Sequence, residues 1–240
     1  MNSPFKHLCY LALILILPSK AYATWSIIAV DRETGEAGVA GASCTSDVTG
    51  IASVVPGKGA IVVQAASNYF ARMRGAGLMD KGAPPNEILA TMRDKQFDPE
   101  DQQYGLVTLY DDSAPLVYSG ARISNWRGAK LGADVATLGN TLVGQAVVDD
   151  AFQAFDTNRD KSLAERLMLA LNAGAKAGGD NRCGAQHARS AFVMVYQPRS
   201  DSNLTLAVTG IKPGGKPAVA LLNEQFERWK SCKAIACSAH

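Results

Sequence analysis

The element order predicts an α+β fold of two stacked, mainly antiparallel sheets with helices outside, and three features of the chain carry that expectation. Strand patterns arrive in groups, not singly in alternation with helices. Helical patterns arrive in pairs between those groups. Short turns such as Thr34-Gly35, Pro56-Gly57 and Asp111-Asp112-Ser113 separate successive strands, and connections that short make antiparallel neighbours.

The first group comprises strands over residues 24–30, 36–43, 51–55 and 60–66 and reads as one antiparallel sheet. Its second member is dense in small residues, with Gly38, Ala40, Gly41 and Ala42, which permits close backbone approach. Helical periodicity follows over 69–79 and 85–92, with Pro84-Pro85 marking the second start, and this pair is expected to cover that sheet. Alternation over 104–110 and 115–120 reads as a hairpin that begins a second sheet. A strand over 133–138 runs into Gly139-Asn140. Helices over 145–155 and 163–177 come next, the second closed by Gly178-Gly179. Strands over 191–196 and 204–210 and a helix over 218–230 complete the series. There is no internal repeat or low-complexity linker.

Residues 1–23 read as a secretory leader: Lys6 and His7, an apolar stretch over 8–18, and Ala21 and Ala23 at the −3 and −1 positions of the expected cut. The apolar stretch falls short of the roughly 20 residues that span a bilayer, and no later segment approaches that length. Cys9 has no lipobox around it, so neither a lipid anchor nor stable membrane insertion is expected. The remainder, 24–240, reads as one domain with a tail carrying Cys232 and Cys237, placed in the periplasm or secreted. Across the chain 24 basic residues face 22 acidic ones, and Lys6 and Lys20 of the leader account for the excess. A balanced charge gives no reason to expect nucleic acid as a partner. Beyond the leader stand Cys44, Cys183, Cys232 and Cys237, an even set in a chain bound for an oxidising compartment, so one or two disulfides are expected. Cys232 and Cys237 are near enough to close a small loop, but three pairings are open. With only His187 and His240 as later histidines and no Cys-x-x-Cys, a zinc site is disfavoured, and neither metal nor cofactor is expected.

Cutting after Ala23 would leave Thr24 as the first residue. An N-terminal threonine combines a nucleophilic hydroxyl with an α-amine whose pKa of about 8 suits a general base. In an uncut chain that nitrogen is an amide and cannot accept the proton. Processing would therefore create the active site.

Five ordered segments carry a family resemblance: Thr24-Trp25-Ser26-Ile27-Ile28-Ala29, the turn from Asp31 to Ala40, Val55-Pro56 with the later Gln64 to Asn68, the box from Gly139 to Gly144, and Gly178 to Arg182. Together they resemble the N-terminal-nucleophile (Ntn) hydrolase superfamily, and within it the family called domain of unknown function 1028, over nearly all of 24–240. The resemblance implies a four-layer αββα sandwich and a processed nucleophile, with an unsettled substrate. It also implies roles. Asn140, after Gly139, is similar to the oxyanion donor of amidotransferase relatives, where losing a donor costs about 3 kcal/mol in barrier. Asp180 and Arg182 resemble the grip of threonine asparaginases on the amine and carboxylate of an amino-acid-like substrate. Gln64 and Asn68 are further substrate-binding candidates because buried amides need partners, and Ser43 and Ser67 are candidates for orienting the N-terminal amine.

Each of these has a plainer explanation as a turn asparagine, a loop ion pair or a strand hydroxyl. The segment 156–162 spaces its oxygens like a calcium loop, but Lys161 replaces the turn glycine and Leu167 the bidentate acid, so a helix end followed by a Ser162 cap is expected instead. His187 has no serine elbow beside it, which disfavours a Ser-His-Asp triad. The expected function is an exported N-terminal-threonine amidohydrolase acting on a small amide or peptide-like substrate. The alternative is a non-catalytic envelope or ligand-binding protein on the same scaffold, and a homo-oligomer is compatible with either.

Overall fold

The strands form two antiparallel sheets in a computed structural model that describes residues 23–123, 126–198 and 203–238, with side chains described through Cys232. Apart from Ala23, the expected leader lies outside the described residues, as does the side chain of Cys237. The strands are β1 (Thr24–Asp31), β2 (Glu36–Ser43), β3 (Ala52–Val55), β4 (Gly59–Ala65), β5 (Gln102–Thr108), β6 (Leu116–Ser119), β7 (Arg127–Leu131), β8 (Val135–Asn140), β9 (Ser190–Tyr196) and β10 (Leu204–Val208). The helices are α1 (Tyr69–Asp80), α2 (Pro85–Met92), α3 (Ala146–Asp156), α4 (Leu163–Lys176) and α5 (Ala218–Ser238). One sheet has the order β10-β9-β2-β1-β8-β7 and the other β3-β4-β5-β6. Helices α3, α4 and α5 pack on the first, α1 and α2 on the second, and the sheets face each other through β1, β2 and β8 against β4 and β5. The layers are αββα.

Strand alternation builds three apolar layers. Trp25, Ile27 and Ala29 of β1 point toward α3 and α4, where Phe155, Leu167 and Leu171 meet them. Ile28 and Val30 point the other way and join Val62 and Val107 between the sheets. Ile61, Val63, Tyr104 and Leu106 face Met79, Ile88 and Met92 beneath α1 and α2. With successive side chains on opposite faces, one shift of register would exchange the first two sets. The sheets come close at Gly105, where a Cβ would stand 3.0 Å from Ile28 Cδ1.

Two differences from the expected organisation matter for the site. Strands β1 and β2 do not share a sheet with β3 and β4: the chain crosses between sheets through a short 3-10 turn, Thr49–Ile51, whose Val48 and Ile51 are buried. The hairpin β5–β6 accordingly extends the sheet of β3 and β4 and does not begin a new one. The edge strand β7, absent from the sequence reading, pairs with β8.

The C-terminal segment is helical through Ser238 and not a tail, and Cys232 is a free, exposed thiol on α5. The small loop through Cys232, one of the three pairings left open, is therefore not closed. The disulfide instead joins Cys44 to Cys183, with Cα atoms 5.6 Å apart. Ser162 caps α4 in a reciprocal capping box with Glu165, as expected for 156–162, and Arg159 pairs with Asp156 there. Helix α1 is anchored to the sheet below by Arg72, which donates to Ala52 O at 2.8 Å and Ser53 Oγ at 2.6 Å.

Candidate active site

The space between the sheets is apolar through its middle, and at the end where β1 begins a group of buried polar side chains lies beneath Thr24. Its cross-strand neighbours are Ser43 on β2 and Asn140 on β8. By alternation from Ile28 and Val30, the side chains of Thr24 and Ser26 face the space between the sheets. A cleft of about 480 Å³ runs out from Thr24. One wall is the crossing segment after β2, with Thr45, Asp47, Val48 and Ile51, and the other is the end of β4, with Ala65, Ala66 and Ser67. Ala65 holds φ at 68°. A side chain in that left-handed region is strained and such residues concentrate at functional sites.

Beneath Thr24 lies a chain of buried amides. Gln64 accepts from Ser26 Oγ at 2.7 Å, donates to Thr24 O at 3.4 Å and donates to Gln103 Oε1 at 2.8 Å. Asn140 Nδ2 lies 3.5 Å from that same Oε1, and Gln103 Nε2 donates to Ser119 Oγ at 2.9 Å and Gly128 O at 3.2 Å. Gln103 thus sets the orientation of both neighbouring amides, since its oxygen faces their NH₂ groups. Gly139 makes room here. A Cβ at that position would overlap Leu142 Cδ1 and stand 3.1 Å from Thr24 O. Gly139→Ala is expected to lower stability by about 1–3 kcal/mol, read as a shift in the urea midpoint; a shift near zero would mean that this contact can relax freely.

A second cluster holds the residue before Thr24. Ala23 is fully buried, and its carbonyl accepts from Ser43 Oγ and, at 3.1 Å, from Arg182 Nη2. Asp180, also fully buried, accepts from Arg182 Nη2 at 2.7 Å, Arg182 Nε at 3.1 Å, Arg182 N at 3.0 Å and Cys44 N at 2.6 Å. Cys44 follows Ser43 and Cys183 follows Arg182, so the disulfide staples together the two segments that grip the Ala23 carbonyl. The loop leaving β8 joins the same cluster, as Leu142 bridges to Asp180.

A model of DUF1028, a family of unknown function, matches residues 24–213. The chain belongs to this family. Its fold is similar to that in the crystal structure of protein SPO2555 from Silicibacter pomeroyi, itself described as DUF1028, at 22% identity over 86% of this chain and 85% of that one, with a TM-score of 0.74. That likeness concerns the fold. No curated protein matches the chain.

In this DUF1028 chain the expected site residues separate into groups. Thr24, Gln64, Gly139 and Asn140 come together around the start of β1, while Asp180 and Arg182 sit on the Ala23 side of Thr24; of these six only Thr24 lines the cleft. Asn68 stands apart. It caps α1, accepting from Phe70 N at 2.9 Å and Ala71 N at 3.1 Å, and borders a separate depression with Phe70, Met73 and Phe97. Ser43 reaches the Ala23 carbonyl and Ser67 lines the cleft, whereas His187 bonds Gly178 O through Nδ1 at 2.9 Å. The sequence reading missed Gln103 and Asp47. Gln103 was legible in principle: extending the alternation of Gly105 and Val107 back by one step places it between the sheets. Asp47 carried no signal, because only the crossing segment brings it to the cleft. Among the described residues no group of histidine, cysteine and acidic side chains is placed to hold a metal ion, and no helix is long and apolar enough to cross a membrane.

Proposed function

We propose that this chain is an exported N-terminal-threonine hydrolase of a small amide or peptide-like substrate, on the N-terminal-nucleophile plan. The supporting observation is the position of Thr24. It starts an interior strand at the mouth of the cleft, above a group of buried amides, and the family match begins on it. The Cys44–Cys183 disulfide supports an oxidising destination, in the periplasm or outside the cell.

Removal of the leader after Ala23 converts the Thr24 amide nitrogen into an amine and takes the Ala23 carbonyl away from Ser43 and Arg182. The amine then accepts the hydroxyl proton, directly or through one water, as Oγ1 adds to the substrate carbonyl. β-Branching restricts the Thr24 side chain, so less freedom is lost in aiming its hydroxyl. Asn140, directly across the strand pair and oriented by Gln103, is assigned the developing oxyanion. The proton passes to the departing nitrogen, the C–N bond breaks, and water cleaves the Thr24 ester to regenerate the hydroxyl.

Intact mass of the exported protein, before and after exposure to a β-lactone, tests this directly. A chain starting at Thr24 that gains one lactone equivalent, with no gain in Thr24→Ala, is the expected result. A start at any other residue sinks the mechanism, and a correct start without adduct favours a binding protein on this scaffold.

A further inference from the structure

The cleft carries more information than its position. Its apolar lining comes from Val48 and Ile51, which are otherwise buried, and from the methyl groups of Ala65 and Ala66. At about 480 Å³ it takes a short chain and not a folded peptide. Among the described residues that line it, Asp47, exposed at the rim, carries the sole ionisable side chain, and no lysine or arginine lines it. Asp47 is held in place by its own loop, since Oδ1 accepts from Thr49 N at 2.8 Å and Thr49 Oγ1 at 2.7 Å. Those bonds use one carboxylate oxygen, so the charge is fixed at the wall with acceptor capacity remaining on Oδ2. The arginine suited to a carboxylate, Arg182, lies instead on the Ala23 side, already paired with Asp180.

We infer that the cleft selects acyl groups that are short, aliphatic and cationic at their far end, with Val48, Ile51 and Ala65 receiving the aliphatic part and Asp47 the positive charge. The inference rests on Thr24 being the nucleophile and names the substrate class for that site. An amide of such an acid would lose its amine as the Thr24 Oγ1–acyl bond forms and the C–N bond breaks, the hydroxyl proton leaving with the amine. Water would then release the ω-cationic acid. Acyl groups that end in a carboxylate would meet repulsion from Asp47 in the cleft.

The test uses the exported protein and three β-lactones with side chains of equal length ending in trimethylammonium, its neutral isostere tert-butyl, or carboxylate. Acylation rates of Thr24 are followed by intact mass. In parallel, N-ethylamides carrying the same three ends are titrated by ligand-observed NMR against Thr24→Ala, which lacks the hydroxyl that would cleave them. The trimethylammonium probe is expected to exceed the carboxylate probe by about tenfold in rate and in binding, the scale of one carboxylate attracting one and repelling the other in a wet cleft. The ratio should approach one in Asp47→Asn, which keeps the Oδ1 bonds to Thr49, should invert in Asp47→Lys, and should shrink in high salt. Equal rates for all three lactones would overturn the charge preference while leaving Thr24 a nucleophile. Asp47-dependent binding of the cationic amide without acylation would support the cleft's selectivity and sink the nucleophile. Neither acylation nor binding would overturn both.

Discussion

Asp180→Ala is expected to destabilise the protein by about 3 kcal/mol, the lower end for breaking a buried ion pair because its partner is partly exposed. At this chain length that lowers Tm by roughly 10 °C. Asp180 is fully buried and is the acceptor for three donor groups of Arg182 and for the Cys44 amide. Alanine leaves the Cys44 N–H without its acceptor and the Arg182 guanidinium without its counter-charge, its side chain 33% exposed. Arg182 can then swing to solvent, and the loop leaving β8 after Asn140, which bridges to Asp180, loosens. Urea unfolding with the disulfide intact measures the first effect, and the rate of lactone addition to Thr24 measures the second. A stability change under about 1 kcal/mol would show that the cluster behaves as an ordinary surface ion pair.

Gln103→Leu is expected to cost about 3 kcal/mol, through the buried amide NH₂ groups of Gln64 and Asn140 left without their shared acceptor. The same change should slow lactone addition at Thr24 by at least about tenfold, since a misaimed oxyanion donor is worth that much or more. Gln103 is fully buried, and its two ends hold Gln64 and Asn140 on one side and Ser119 and Gly128 on the other. A role limited to packing would change stability and leave the rate alone. Gln103→Glu separates the cases: protonated in so buried a setting, it keeps an acceptor for Gln64 and Asn140 and one donor. It should recover much of the rate even where stability stays reduced. A full rate in Gln103→Leu would remove Gln103 from any positioning role.

Local pattern accounts for most of what the sequence revealed. The apolar alternation of Trp25, Ile27 and Ala29 against Ile28 and Val30 is a two-faced strand wherever it is placed, and the Pro84-Pro85 start of α2 and the Ser162 cap of α4 act over a single turn. The edge strand β7 escaped because Arg127 to Leu131 is half exposed and has no apolar face for alternation to reveal. The pairing of the first four strands into one sheet was misjudged for a different reason. Alternation states which residues face alike, but it is silent on which sheet a strand joins. The crossing at Thr49–Ile51 is decided by long-range burial of Val48 and Ile51 between the layers.

The candidate site divides along the same line. A leader ending in Ala23, a threonine next to it and a run of family-like segments could be read in order along the chain, and with them the αββα layering that the resemblance implied. The neighbours of Thr24 could not. Ser43, Gln64, Gln103, Asn140 and Arg182 lie from 19 to 158 positions away from it along the chain, and only the pairing of β1 with β2 and β8, and the stacking of the two sheets, makes them adjacent. The same holds for Cys44 with Cys183, for which spacing left three pairings open, and for Asp47, whose carboxylate becomes part of the cleft because the chain changes sheets there. Asn68 shows the converse: its amide suggested a substrate contact, yet the unsatisfied N–H groups at the start of α1 occupy it first. The sequence by itself determined the strand faces, the helix ends and the candidate nucleophile, because period, capping and cleavage signals act between near neighbours. The tertiary structure alone decided which polar groups meet Thr24 and what charge lines its cleft, because burial and hydrogen bonding join residues without regard to their distance along the chain.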